Sequence, residues 1–434
     1  MIKIILISIL IFVSSCDNGD KVDNVGKKIV FVKDELNVDK DFFQEGLKLS
    51  SPNKNDLWIQ KGGNDSHSLS NVIFKLPFNK KWTFDTNQEI SEDHPFLTQP
   101  VGKEKKLYIL NNDGIIFCLN KENGSLIWEK KFFQETDNTL LGPGSIVIDK
   151  LRDSIIVHNG KNKIIAINLK SKKIKWVLNN KLPFRGSFSL KKNNLLINDY
   201  EGNLFNINPI NGKVIWEKKL SSSLISIYTN ARPIVFDNLI LNPGSNGIFY
   251  VLNLKNGRLI FSDYLARKKS NHAMFKNNDI IANPIYYDGI IYLISHSGTL
   301  AAYKKNTFEN LWNVSIGSSN TPVVSGKTIF TFDNLGHVYA IDTKTGKIRW
   351  KQKFDLFRTT GYFFEETNKI NYYGPYIVDG KVLIFNNKEE LFFLNPENGK
   401  IEKTISFENL GTAPLFFTNK ITLLFSNGKI SQYN

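Results

Sequence analysis

The sequence predicts an all-β fold: an eight-bladed β-propeller of four-stranded antiparallel blades, closed by an N-terminal strand joining the C-terminal blade. Three observations predict it. A phrase of polar turn, glycine and short strand ending on an aromatic recurs along the 434 residues. Its spacing is about 40 to 50 residues, the range of propeller blades rather than helical solenoids, and no stretch sustains a helical apolar period. The repeats begin with a lone fourth strand and end with three strands that lack a fourth.

The elements follow in chain order. "MIKIILISILIFVSSC" has one early charge, Lys3, before an apolar run that stops at Ser14, Ser15 and Cys16. A run of roughly ten apolar residues suits the core of an export signal and is too short to span a bilayer as a mature helix. "VSSC", followed by the polar "DNGD", resembles a bacterial lipoprotein signal. That resemblance implies cleavage before Cys16, acylation of its thiol and new amino group, and a membrane anchor there. The alternative is an ordinary secretory signal that happens to contain a cysteine. Residues 1–15 are thus expected as signal peptide, 16–57 as a polar tether with little repeat character, and 58–434 as the propeller. Cys118, inside "GIIFCLN", is the only other cysteine. With Cys16 lipidated no disulfide is available, and Cys118 is expected as a buried packing residue.

The phrase then runs through the chain. "NKKWTFD" supplies Trp82 without a preceding turn. "NKENGSLIWEKKF" ends on Trp128, "NLKSKKIKWVL" on Trp176 and "NPINGKVIWEKKL" on Trp216. "NLKNGRLIFSDYL" has Phe261 at that place, "KKNTFENLWNVSI" has Trp312 and "DTKTGKIRWKQKF" has Trp350. "NPENGKIEKTISF" keeps the turn but sets Lys403 where the aromatic belongs. Ahead of each turn lie two apolar strands joined by a tight turn, as in "KLYILNNDGIIFCLN" and "TIFTFDNLGHVYAID", and a third apolar segment such as "TPVVSG" often precedes them. Asn, Asp and Gly adopt the positive φ such hairpins need. Each unit is therefore four short strands, unable to bury both faces alone, and radial packing lets every unit cover its neighbour. The aromatics are expected to pack between blades. The Trp82 strand is expected to complete the sheet of residues 411–434, leaving no free strand end there.

Composition narrows function. The formal charge is +15, but the lysines are spread through every segment and alternate with apolar residues, as on solvated outer faces. No Arg-rich run or nucleic-acid motif is present, so a nucleic-acid partner is not expected.

The turn-glycine-tryptophan phrase, clearest in "YAIDTKTGKIRW", resembles the repeat of the pyrroloquinoline-quinone (PQQ) propeller superfamily. Within it, the lipoprotein start, the length, the eight units and the end-joining strand resemble the BamB family, non-enzymatic lipoproteins of the outer-membrane β-barrel assembly machinery. "WIQKGGNDSHSLSN", Trp58 to Asn71, looks like the lead-in of alphaproteobacterial members. The resemblance implies no cofactor. It implies a periplasm-facing scaffold on the outer membrane, with the barrel-forming component and its client barrels as partners. It also implies partner contacts through loops on one face. A family Leu-x-Leu-Arg-Gly stretch is matched by "LPFRG", which makes Leu182, Phe184 and Arg185 candidates, with Phe184 as an exposed aromatic beside the arginine. The alternative is that Leu182 and Phe184 pack in an interblade crevice. A second family loop with two acids is matched by "DIIANP", which keeps Asp279 but has Ile281 in place of the other acid, weakening a charge-based contact. Asp17, directly after Cys16, matches an inner-membrane retention signal of enteric bacteria, so an inner-membrane scaffold with other clients stays open.

The enzyme alternative is a PQQ-dependent dehydrogenase, and a resemblance to that branch would imply calcium-binding carboxylates and a catalytic Asp at the ring centre. Asp113, Asp199 and Asp333 sit in hairpin turns that explain them, and there is no Cys-Cys pair. The six histidines, His67, His94, His158, His272, His296 and His337, are scattered without metal-ligand spacing. "SGKT" from Ser325 lacks the upstream glycine of a phosphate loop, having Thr321 there.

Overall fold

Apolar runs cut by Asn, Asp and Gly turns fold into antiparallel meanders, and the meanders stand radially around an axis. The computed structural model describes residues 36–39, 46–65, 67, 71–75, 78–87, 97–133, 144–220, 231–265, 279–296, 298–360, 366–408 and 410–434. The leader, Cys16, Asp17, His94 and His272 lie outside the described residues. Among those residues the strands form eight blades. The first, counted outward from the axis, holds Val101–Lys103, Lys106–Leu110, Ile115–Asn120 and Leu126–Lys131. Six more start their inner strands at Ser145, Phe184, Ile234, Ile285, Val323 and Tyr372. The eighth is made from both chain ends. Leu415–Phe417, Lys420–Leu424 and Lys429–Tyr433 are completed on the outside by Lys80–Asp85, with Trp82 opposite Gln432 and Thr83 opposite Ser431.

Radial position explains the burial of each strand. The second strand of the second blade, "SIIVH" from Ser154 to His158, is buried at every residue, because neighbouring blades cover both its faces. The outer strand "KKWTFD" of the eighth blade is mostly exposed and buries Trp82 alone. Such outer strands carry the lysines.

The recurring phrase is the device that joins blade to blade. An Asn or Asp opens the turn between the third and outer strands. Asn120 Oδ1 accepts from Glu122 N at 2.8 Å, and Asp342 Oδ1 accepts from Lys344 N at 3.0 Å. The glycine closes the turn in the left-handed region, with φ of +71° at Gly124 and +72° at Gly399. Against that glycine lies the tryptophan of the preceding blade. A Cβ on Gly124 would sit 2.5 Å from the Trp82 ring, one on Gly212 2.5 Å from Trp176, and one on Gly399 2.5 Å from Trp350. The indole N–H also docks on the same turn. Trp82 donates to Lys121 O at 3.1 Å, Trp176 to Pro209 O at 2.9 Å, Trp216 to Leu254 O at 3.0 Å, Trp312 to Thr343 O at 3.1 Å and Trp350 to Pro396 O at 2.7 Å. Where Phe261 replaces the tryptophan, Phe308 replaces the facing glycine, and the two rings stack at 5.2 Å. Trp128 faces Lys172 in place of glycine, with the ammonium 5.9 Å from the ring centre. Lys403 occupies the one outer strand whose neighbouring blade has no such turn, because there the chain ends lie between the third and outer strands.

Three features go beyond the expected repeat. Leu57–Trp58 adds a fifth strand at the inner edge of the first blade, pairing with Gly102 and Lys103. Phe357–Thr360 and Glu366–Lys369 form a separate hairpin between the sixth and seventh blades. The described residues of the segment expected as tether, 36–39 and 46–57, lie against the propeller. Asp39 N donates to Ile348 O at 2.8 Å, Ser50 N to Ser325 Oγ at 3.1 Å, and Asn55 N to Thr418 Oγ1 at 2.8 Å. The residues from Leu36 to Asn434 form one compact unit. Cys118 is buried and free, and burial pushes its thiol up to about 11. Among the described residues no helix is long and apolar enough to cross a membrane.

Candidate functional site

Strand alternation sets the end of each outer strand and the start of the next inner strand on one rim, as at Lys131 and Ser145, Lys219 and Ile234, and Tyr264 and Ile285. Leu182 to Gly186 lies on the same rim, at the entry to the third blade, where the inner strand Phe184–Lys191 is eight residues long. Its pairing shifts register between Arg185 and Ser189, and Gly186 takes a φ of +78°. This bulge re-aims the strand, as bulges do at sheet rims.

The expectation of an exposed aromatic here is corrected. Phe184 is 2% exposed and meets Phe205 edge-on at 5.9 Å. His158 lies beneath the same strand. Gly160 N donates to its Nδ1 at 3.1 Å, so Nε2 carries the proton and donates to Gly186 O at 3.0 Å. Burial lowers the His158 pKa to about 4 and keeps the ring neutral. Leu182 and Arg185 remain half-buried at the surface. Phe184 is thus the foundation of the rim element, and Leu182 and Arg185 are its face. Asp279 is also corrected as a surface acid: it is 1% exposed, and its carbonyl accepts from His296 N at 2.9 Å. The two loops share a stretch of rim, since Arg185 and Gly244 line one crevice and Gly244 O accepts from Ile280 N at 3.4 Å.

The second feature is axial and was not legible in the sequence. Residues 58–65 and His67 lie across the ring opening. Ile59 O accepts from Ile148 N at 2.8 Å in the second blade, and Gln60 Oε1 accepts from Leu190 N at 3.0 Å in the third. Gly62 N donates to Gln99 Oε1 at 3.2 Å beside the first blade, and His67 Nδ1 donates to Pro284 O at 2.7 Å beside the fifth. The segment forms part of the wall of a cavity of about 490 Å³ to which seven blades contribute, with Ile146, Asn283, Thr321 and Tyr376 among the lining residues. Arg232, fully buried, donates to Asn64 O across the axis. Burial, and secondarily the Arg232 charge, lower Lys61 to about 7, while burial lowers Arg232 itself to about 9. The available signal was topological. A chain that pairs first at the inner edge of one blade and next at the outer edge of its neighbour has to pass the axis.

No carboxylate lines this cavity, and no group of three metal-binding side chains occurs among the described residues. A calcium-bound quinone of the kind the dehydrogenase alternative requires does not fit that donor set. Asp113, Asp199 and Asp333 serve their own turns, as when Asp333 Oδ1 accepts from His337 N at 2.7 Å.

Comparison with known proteins agrees with this geometry. A family model described as outer membrane protein assembly factor BamB matches residues 79–225 and 222–352. The outer membrane protein assembly factor BamB of Moranella endobia is 22% identical over 340 residues, covering 76% of this chain and 84% of its own. The crystal structure of BamB from Moraxella catarrhalis superposes with a TM-score of 0.67 at 16% identity, covering 82% of this chain and all of its own. Quinohemoprotein alcohol dehydrogenase from Comamonas testosteroni reaches the same TM-score of 0.67 at 9% identity, covering 92% of this chain and 82% of its own, a likeness of fold alone.

Proposed function

Because the chain belongs to the BamB family of outer membrane protein assembly factors, we propose that it is a non-enzymatic scaffold assisting the assembly of outer-membrane β-barrels. The family match over residues 79–352 carries this reading. A closed ring of eight blades suits a protein whose work is done by surface. In this reading the lipidated Cys16 holds the ring to the outer membrane facing the periplasm. The rim around Leu182 and Arg185 docks the barrel-forming component of the assembly machinery, and client barrels pass nearby. Arg185 suits the task because a guanidinium offers several donors in a fixed fork to a partner's carboxylates and carbonyls.

The test is crosslinking in cells from a photoreactive residue at position 185. The expected product is a covalent adduct with the barrel-forming assembly component. Trapping only unrelated proteins, with the rim exposed and the protein folded, would overturn the docking assignment. Fractionation of outer and inner membranes tests the anchor: recovery with inner membranes would contradict the placement and favour the reading based on Asp17.

A further inference from the structure

The axial segment buries more positive charge than its own hydrogen bonds need. A guanidinium has five donors, and a buried one is costly to leave unsatisfied. Arg232 is fully buried, and only its terminal NH2 group is satisfied, by Asn64 O. Its Nε and NH1 have no hydrogen-bond partner among the described residues. Asp65 is the acid that acts on it, and the Asp65 carboxylate already accepts from Gln60 Nε2 at 2.7 Å. Lys61 lines the cavity a few residues away and makes no hydrogen bond or ion pair among the described residues. His67, buried and depressed by its surroundings, adds no charge.

The surrounding residues leave room for a guest. Gly62 lines the cavity with a φ of +73°, and a Cβ there would rest in ordinary contact with the Arg232 guanidinium at 3.8 Å and Asn283 Nδ2 at 3.7 Å. Asn283 itself lines the cavity, whereas the Arg232 guanidinium lies behind that wall. Among the described residues two basic groups, Lys61 and Arg232, stand against one carboxylate, Asp65, beside a cavity of about 490 Å³ with Trp58 and Tyr376 in its walls. A space of that size holds a small molecule.

We propose that the axial cavity is a binding site for a small-molecule oxyanion, a carboxylate or a phosphate, held by Lys61 and Asn283, with the Arg232 charge behind Gly62 acting through space. The anion would favour the protonated form of Lys61 and pair with it in a low-dielectric site, where pairing is worth most. This site is distinct from the rim at Leu182 and Arg185, so its failure would leave the scaffold reading untouched.

The experiment is calorimetric titration of the purified full chain with inorganic phosphate, and separately with benzoate, against a chloride reference of equal ionic strength. Saturable binding of one or both is expected, phosphate marking a compact anion site and benzoate one that uses the aromatic walls. Lys61→Met should weaken it by about tenfold or more, the cost of losing a charged hydrogen bond. Lys61→Arg should retain most of it. Circular dichroism checks that both variants fold. If neither anion binds, or Lys61→Met binds as the parent does because surface lysines are the site, the proposal is wrong.

Discussion

Five interblade joints pair a tryptophan with a glycine whose added Cβ would strike the indole. Trp350 is 3% exposed, lies over Gly399 and donates to Pro396 O at 2.7 Å. Trp350→Ala should therefore lower stability by about 3–5 kcal/mol, through lost contacts and a cavity. Gly399→Ala should cost about 1–3 kcal/mol, because alanine resists a φ of +72° and its Cβ meets the indole. Denaturant titration of both variants checks the order. His158 ties pH to the rim. Its folded pKa of about 4 lies below the ordinary 6.5, so between those values the unfolded chain binds more protons. Stability is full above pH 6.5, falls as pH drops toward 4, and levels off below. The loss is roughly 3 kcal/mol. Replacing His158 by Gln should flatten the thermal-midpoint profile over that window; an unchanged slope would assign the effect elsewhere.

At the scale of elements, the closing strand matters most. Lys80–Asp85 and Lys429–Tyr433 pair across nearly the whole chain, and Thr83 Oγ1 lies 2.7 Å from Ser431 Oγ. Replacing both residues with cysteine should give a disulfide without strain on the ladder, and closing so long a loop stabilises by a few kcal/mol. The oxidised variant should run faster on a non-reducing gel and melt higher, with both changes reversed by reductant. The same closure accounts for Lys403. An aromatic there would have no turn to dock on, since in the eighth blade the outer strand arrives from the other end of the chain. The phrase and its one gap were both readable as letters, and they express one fact about topology.

For the whole molecule, the ring carries a rim and an axial cavity built from different residues. Arg185→Ala removes the charge at the rim face. On the proposed docking it should reduce co-purification of the barrel-forming component, at a smaller cost in stability than loss of the buried ring below it. Phe184→Ala removes the buried foundation instead, and should cost about 3–5 kcal/mol along with any loss of partner. Comparing the two by pull-down and melting separates a contact from its support.

By itself the sequence determined the number of blades, their four-strand unit, the joining of both ends in one blade and the residues that link each blade to the next. These are local matters: a period, a turn that needs positive φ, an aromatic at a fixed offset. Only the tertiary structure decided which side chains reach water. Phe184 and Asp279 read as surface residues, yet both are buried. Lys61 and Arg232 read as two more basic residues in a basic chain, yet the ring brings them together at its axis. Exposure in a propeller depends on radius and on the adjacent blade. Neither is a property of the residues nearby in sequence.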